Sequence, residues 1–155
     1  MTAPVDLRAR RPAEHERLIQ ELRNDARFGA FRDILVFAAA LGFRNDRRKP
    51  LTKSAGDPIR YEVLISGSGF SEALINMIAA KVTDDPEIMD DRRLEERLKI
   101  FEEYANGGLD CVQEQINVRH QTAALVVADL VTEALSDSSG ATAASVEELL
   151  SSTTW

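Results

Sequence analysis

The sequence is short of the residues that staple, ligate or span. Its single cysteine, Cys111, leaves no internal disulfide to form. Cys111 sits among helix-forming residues and reads as a reduced, half-buried thiol, not a nucleophile. The only two histidines, His15 and His120, are distant in sequence, and each has polar neighbours on a predicted helix, so both are expected at the surface. No apolar run approaches the ~20 residues that span a bilayer; the longest is Ile34 to Leu41. The N-terminal MTAPVDLRARRP carries charge but no apolar h-region and does not read as a secretory signal. These absences exclude a disulfide scaffold and a helical membrane protein, and they fit a bacterial-type cytoplasmic setting.

What remains suits one compact domain. A chain of 155 residues, 44% hydrophobic, can bury roughly two-thirds of its unfolded surface. The net charge of −7 hides a split. Residues 1–60 contain 13 Lys/Arg against 8 Asp/Glu, whereas residues 61–155 contain 6 against 18. Such asymmetry fits either a basic contact for an anionic partner or simply a charged helical surface.

Helical periodicity dominates. Residues 1–12, with Pro4, Pro12 and the RARR cluster, are expected to form a flexible basic arm. Leu18, Ile19 and Leu22 form one stripe of a helix that Pro12 is placed to open. From about Ala30 to Leu41 the chain is apolar on nearly every side, as a central core helix is. Gly42 is expected to end it as a left-handed C-cap, with Pro50 blocking resumption. Residues 51–60 are expected as loop, and Arg60–Ile65 as an extended piece without a pairing partner or a poorly marked helix start. A helix follows over Phe70–Val82, N-capped by Ser71 and ended by Asp84-Asp85-Pro86. Asp90 or Asp91 caps the next, whose Leu94, Leu98, Phe101 and Ala105 share one face. Asn106-Gly107-Gly108 is expected to stop it, and a second long helix to begin at Leu109 and run to about Leu135. So tight a connection implies an antiparallel hairpin. Residues 136–155 form a Ser/Thr-rich tail, with Ser145 and Glu148 able to cap one last turn. The expectation is an all-α domain of about five helices over residues 13–135, with a C-terminal helical hairpin, a mobile arm and a mobile tail.

Catalytic constellations fail one by one. Cys111 and His120 on one straight helix stand roughly 13 Å apart, too far for a dyad. Asp84, Asp85, Asp90 and Asp91 lack the glycine and terminal Glu of a calcium loop, and helix capping accounts for them. Glu96 and Lys99 have the wrong spacing for a metal-dependent nuclease element, on a helix instead of a strand. Gly67-Ser68-Gly69 lacks the Lys-Ser/Thr of a phosphate loop. No catalytic, cofactor-binding or metal-ligating residue is assigned.

Two segments remain as contact candidates. The basic turn Arg44, Arg47, Arg48 and Lys49, with Lys53 nearby, suits phosphates, each contact adding salt-sensitive affinity. It equally suits carboxylates, to which the arginine fork docks in bidentate fashion. Those carboxylates lie either on a partner or in the chain's own acidic second half. Only Phe43 is aromatic there, which argues against base stacking. The second candidate is the elbow of Tyr104, Asn106, Gly107 and Gly108. Paired glycines cost backbone entropy unless positive φ or close approach requires them; a sharp turn suffices, and partner docking is the alternative.

AAALGFRNDRRKPL (38–51), PIRYEVL (58–64), ALINMIAAKVTDDPEIM (73–89) and IFEEYANGGLD (100–110), taken in order, resemble the DNA phosphorothioation-associated protein 4 family. The resemblance covers roughly residues 31–118. Members are small bacterial proteins found beside genes that install sulfur in the DNA backbone, or beside the linked restriction genes. The resemblance implies a phage-defence context and brings no catalytic residues. The resulting expectation is a non-enzymatic accessory or regulatory protein whose partner is another component of the modification/restriction system. Direct DNA binding through residues 44–53 is the alternative, and an uncharacterised enzyme a third class. Neither a membrane nor a small-molecule substrate is indicated.

Overall fold

The structure, a computed structural model, describes residues 7–136. Within them lie a two-stranded antiparallel sheet, β1 (Arg8–Pro12) and β2 (Ser54–Arg60), and six α-helices. The helices are α1 (Glu16–Asp25), α2 (Phe31–Arg44), α3 (Tyr61–Ile65), α4 (Ser71–Thr83), α5 (Leu94–Arg119) and α6 (123–136). The protein is therefore mostly helical but not purely all-α. Among the described residues no helix is long and apolar enough to cross a membrane.

The sheet corrects two expectations. Residues 8–12 of the basic arm are a strand, and residues 54–60, expected as loop, are its partner. Arg8 faces Arg60 and Pro12 faces Ser54, with an irregularity between Ala9 and Arg11. Gly56, at φ +66°, and Pro58 disguise the strand, since both residues usually mark turns. Arg11 points inward from β1. Its guanidinium bonds Glu16 at 3.0 Å and lies 4.0 Å over the Phe31 ring. A side chain at Gly56 would collide with that guanidinium. The next segment resolves as β2 running straight into α3.

α2 continues past Gly42 to Arg44, so Gly42 is not its cap. The left-handed position falls at Asp46, φ +53°. Asn45 closes the helix instead, its side-chain amide donating to the Leu41 carbonyl at 2.9 Å. Ser71 is the first residue of α4 and not its cap. Asp85 and Asp90 cap the short 3-10 turns Pro86–Met89 and Asp91–Arg93, each accepting from the backbone N–H two residues on at 3.0 and 2.9 Å. α5 itself starts after Arg93 without a side-chain cap, so neither Asp90 nor Asp91 caps it as expected.

The largest correction concerns α5. It runs unbroken for 26 residues through Asn106-Gly107-Gly108, so no elbow exists there. The chain turns instead at His120, φ +55°, and α6 begins at 123. Arg119 ties the two, reaching Glu133 at 3.1 Å and Asp129 at 3.7 Å. Leu130 lines a small cavity beside Cys111 and Glu114, so α6 folds back along α5. The helical hairpin is present, but displaced by a dozen residues. Of the expected tail, residues 137–155, with the Ser145–Glu148 turn, lie outside the described residues.

The core joins Leu18, Ile19 and Leu22 of α1, Ile34, Leu35 and Ala38 of α2, Ile75 and Ile78 of α4, and Phe101, Leu109 and Val112 of α5. α2 is central, yet α5 is the more deeply buried. Arg97 to Leu109 is buried throughout except Lys99, including Glu102, Glu103 and Asn106.

Candidate functional site

The basic turn packs across the middle of α5. Three glycines make that possible. A Cβ at Gly42 would overlap the Tyr104 carbonyl, one at Gly107 the Arg47 carbonyl, and one at Gly108 the Ala38 carbonyl. Backbone therefore meets backbone, which is the use of glycine at a close approach. Lys49 N–H donates to the Glu103 carbonyl at 3.0 Å. Asn106, fully buried, donates its side-chain amide to the carbonyls of Lys49 and Pro50 at 3.2 and 3.3 Å. Tyr104 is core, 5% exposed and edge-on to Phe43 with ring centroids 5.7 Å apart. The four residues expected as an interaction elbow are thus the floor on which the basic turn rests.

The cations of the turn meet carboxylates of the same chain. Arg48 donates two bonds to Glu103 at 2.8 and 3.2 Å, and its guanidinium carbon stands 5.8 Å from the Tyr104 ring. Lys49 bridges Glu14 at 3.0 Å and Asp110 at 3.3 Å. Arg47 pairs with Glu114. Glu103, Gly107, Asp110 and Glu114 follow at i, i+4, i+7 and i+11, one face of α5. That acidic stripe, broken by a glycine where the backbone must approach, receives the three consecutive cations. It was visible in the sequence as a helical spacing, but only once Gly107 and Gly108 are allowed inside a helix. Arg44 ends α2, and Lys53 is exposed on the far side of Pro50.

Two neighbours of this cluster were not expected. His15 is buried, 6% exposed, with Nε2 3.0 Å from Asp110, so it is not a surface histidine. Arg10, from the supposed arm, places both its N–H and its Nε on Glu102 at 2.8 and 2.9 Å. His120 is exposed. The electrostatics follow the contacts. The hydrogen bond from Lys49 holds the Glu14 carboxyl below its ordinary range, and Glu14 in turn raises Lys49. Burial raises Glu102, against the opposing pull of Arg10. Burial likewise raises the Cys111 thiol, leaving less thiolate.

The family model for DNA sulphur modification system-associated protein 4 matches residues 8–148. The chain belongs to this family. No curated protein and no solved structure matches it. The match begins at β1, well upstream of the resemblance at residues 31–118, so the strand that carries Arg10 and Arg11 is part of the family pattern.

The chain has other charged and apolar surfaces besides the basic turn. A groove of about 730 Å³ opens between β1 and the start of α5, with Arg8, Arg10, Arg92, Arg93 and Lys99 on its walls beside Glu95, Glu96 and Glu102. Several cations there also have internal partners; Arg93 holds Asp85 and Glu96 at 2.8 Å each. Large apolar side chains stand in solvent elsewhere, foremost Phe70 at 81% exposure on the turn that opens α4. Among the described residues no group of three His, Cys, Asp or Glu side chains converges as metal ligands would.

Proposed function

We propose that this chain is a non-enzymatic accessory or regulatory protein of a DNA phosphorothioation-linked modification/restriction system, acting in the bacterial cytoplasm through protein–protein contacts in a phage-defence setting. One observation carries the reading. Arg47, Arg48 and Lys49, the residues best suited to gripping phosphate, are each paired with a carboxylate of the same molecule. A phosphate would have to displace these partners, losing charge-assisted bonds worth more than neutral ones. These pairings support a role for the turn within the fold and favour the protein-contact reading over phosphate binding by residues 47–49. Exposed Phe70, with Met77 two turns along α4, is instead of the type that anchors protein interfaces.

The test is co-purification of the chain with the modification and restriction proteins encoded beside it, at physiological salt. The expected result is stable capture of one of them, weakened about tenfold or more by Phe70→Ala. Capture of none, together with duplex DNA binding whose affinity falls steeply with salt, overturns the proposal. Direct DNA binding is the second reading, favoured by the groove that holds Arg8, Arg10, Arg92, Arg93 and Lys99 and not by residues 44–53. In that reading Lys99→Ala lowers the salt dependence of binding, whereas Arg47→Ala acts only through stability. Metal-dependent cleavage of DNA by the pure protein would remove both readings.

A further inference from the structure

We propose that the groove between β1 and the start of α5 receives an extended segment of the partner protein in which acidic and apolar residues alternate. It is then the surface through which the protein contact proposed above is made, and so rests on that reading. Arg8 and Arg10 stand exposed on one face of β1, with Ala9 buried between them. Arg60 of β2 lies directly opposite Arg8, and opposed residues share a face of a sheet. Three arginines therefore crowd one face, although like charges directly opposite one another destabilise a strand pair. Arg60 has no ion pair among the described residues, and neither has Lys99, which lines the groove from α5. A balancing anion for these two has to come from outside the described fold.

The remaining charges of the groove decide the chemistry of that anion. Arg10 places its N–H and Nε on Glu102, yet 50% of its side chain stays exposed. Arg92 is paired with Asp90 at 3.0 Å, and Arg93 with Asp85 and Glu96 at 2.8 Å each. Glu95 is the one groove carboxylate without an ion pair among the described residues. The sheet wall thus attracts carboxylates, and the planar arginine fork receives them in bidentate fashion. On the α5 wall Glu95 and Glu96 repel them, while Leu98, with Leu7 and Pro58, supplies an apolar lining. Side chains of an extended chain alternate between two sides, with ~7 Å between successive ones on the same side. Arg8 and Arg10, two residues apart on β1, have that same spacing. Carboxylates at i and i+2 therefore meet the arginines, and an apolar residue at i+1 faces Leu98. Lys99 adds attraction for the segment's net negative charge. Duplex DNA fits less well. Its phosphates bring a negative charge about every 1.7 Å of axis, a row that would pass over Glu95 and Glu96 and has no apolar group for the lining. No aromatic side chain lines the groove to stack a base of a single strand.

Fluorescence anisotropy at physiological salt tests this with the full chain and a labelled short peptide of alternating Glu and Leu. Binding is expected with Kd on the order of 100 μM. Arg60→Glu and Lys99→Glu should each weaken it about fivefold or more, by replacing an attraction with a repulsion. Both side chains are exposed, so both variants keep the far-UV circular dichroism of the parent. Lys81→Glu makes the same charge change as Lys99→Glu at an exposed site on α4 outside the groove, and should alter binding less than about twofold. An all-glutamate peptide of equal length should bind at least about fivefold more weakly, and Glu95→Gln should narrow that gap. Four results would each overturn the proposal. They are no binding of the alternating peptide at about 1 mM, equal binding of the all-glutamate peptide, an effect of Lys81→Glu as large as that of Lys99→Glu, or tighter binding of duplex DNA that Arg60→Glu and Lys99→Glu remove. Capture separates this site from the reading on which it rests. A modification or restriction protein retained equally by the parent and by the Arg60→Glu/Lys99→Glu double variant sinks the groove alone. Capture of none defeats the protein-contact reading even where the peptide binds.

Discussion

Gly108→Ala sets two physical effects against each other. In an ordinary helix interior, alanine is favoured over glycine by about 1 kcal/mol. Position 108 lies inside α5, so propensity alone predicts a more stable protein. The crossing predicts the reverse. A Cβ there falls within the Ala38 carbonyl, and the Ala38 Cα is itself 3.0 Å away. The obstacle is backbone, which no rotamer change relieves. α2 and α5 must separate, at the ~1–3 kcal/mol typical of overpacking a core. Separation also stretches the bonds from Asn106 to the Lys49 and Pro50 carbonyls and from Lys49 N–H to the Glu103 carbonyl. Each of these contributes about 1 kcal/mol. Crossing terms outweigh propensity, and the net loss is about 3 kcal/mol. Urea unfolding followed by circular dichroism at 222 nm measures it, as a midpoint shift of about 1.5 M for an m-value near 2 kcal/mol/M. Gly69→Ala is the control, because nothing lies within 4 Å of its Cβ and its φ is not positive; it should stay within about 0.5 kcal/mol. A Gly108→Ala protein as stable as the parent, or more so, would refute the close crossing.

Other consequences follow from the charged clamp and the buried thiol. Arg48→Ala leaves Glu103, with 9% of its side chain exposed, without its partner. The expected loss is about 2 kcal/mol, partly restored by adding Glu103→Gln in a double-mutant cycle. Glu14, whose carboxyl is held low by Lys49, contributes stability that is present above its unfolded pKa and lost as pH falls through the folded value. Glu102 is raised by burial and works in the opposite direction over the same acidic range. Lys49→Met should therefore flatten the acid limb of a stability–pH curve contributed by Glu14 and leave that of Glu102. At alkaline pH the raised Lys49 should lose its contribution as pH climbs through its folded value, above the ordinary lysine range. Cys111, 9% exposed and with its thiol raised by burial, should react with a thiol reagent at a rate that tracks unfolding, accelerating with urea in step with circular dichroism.

Period 3.6 alone located α1, α2, α4 and the two halves of α5, because each carries an apolar stripe set by local spacing. Capping by Asp85 and Asp90 was equally local. Charge asymmetry between the two parts of the chain allowed an intramolecular partner for the basic turn, beside DNA or an acidic protein surface, without choosing among them. Tertiary structure decided what depends on neighbours far along the chain. β1 and β2 pair across more than forty residues, and neither has a strand-like composition by itself. Gly42, Gly107 and Gly108 look like punctuation locally; only the crossing of α2 on α5 makes them places where backbone touches backbone and lets α5 continue. His15 and Arg10 look like surface residues until Asp110 and Glu102 are brought opposite them. The physical reason is common to all three. Local spacing says which face of an element is apolar, but which polar group a buried side chain meets depends on the packing partner, and that partner is chosen only when the chain folds.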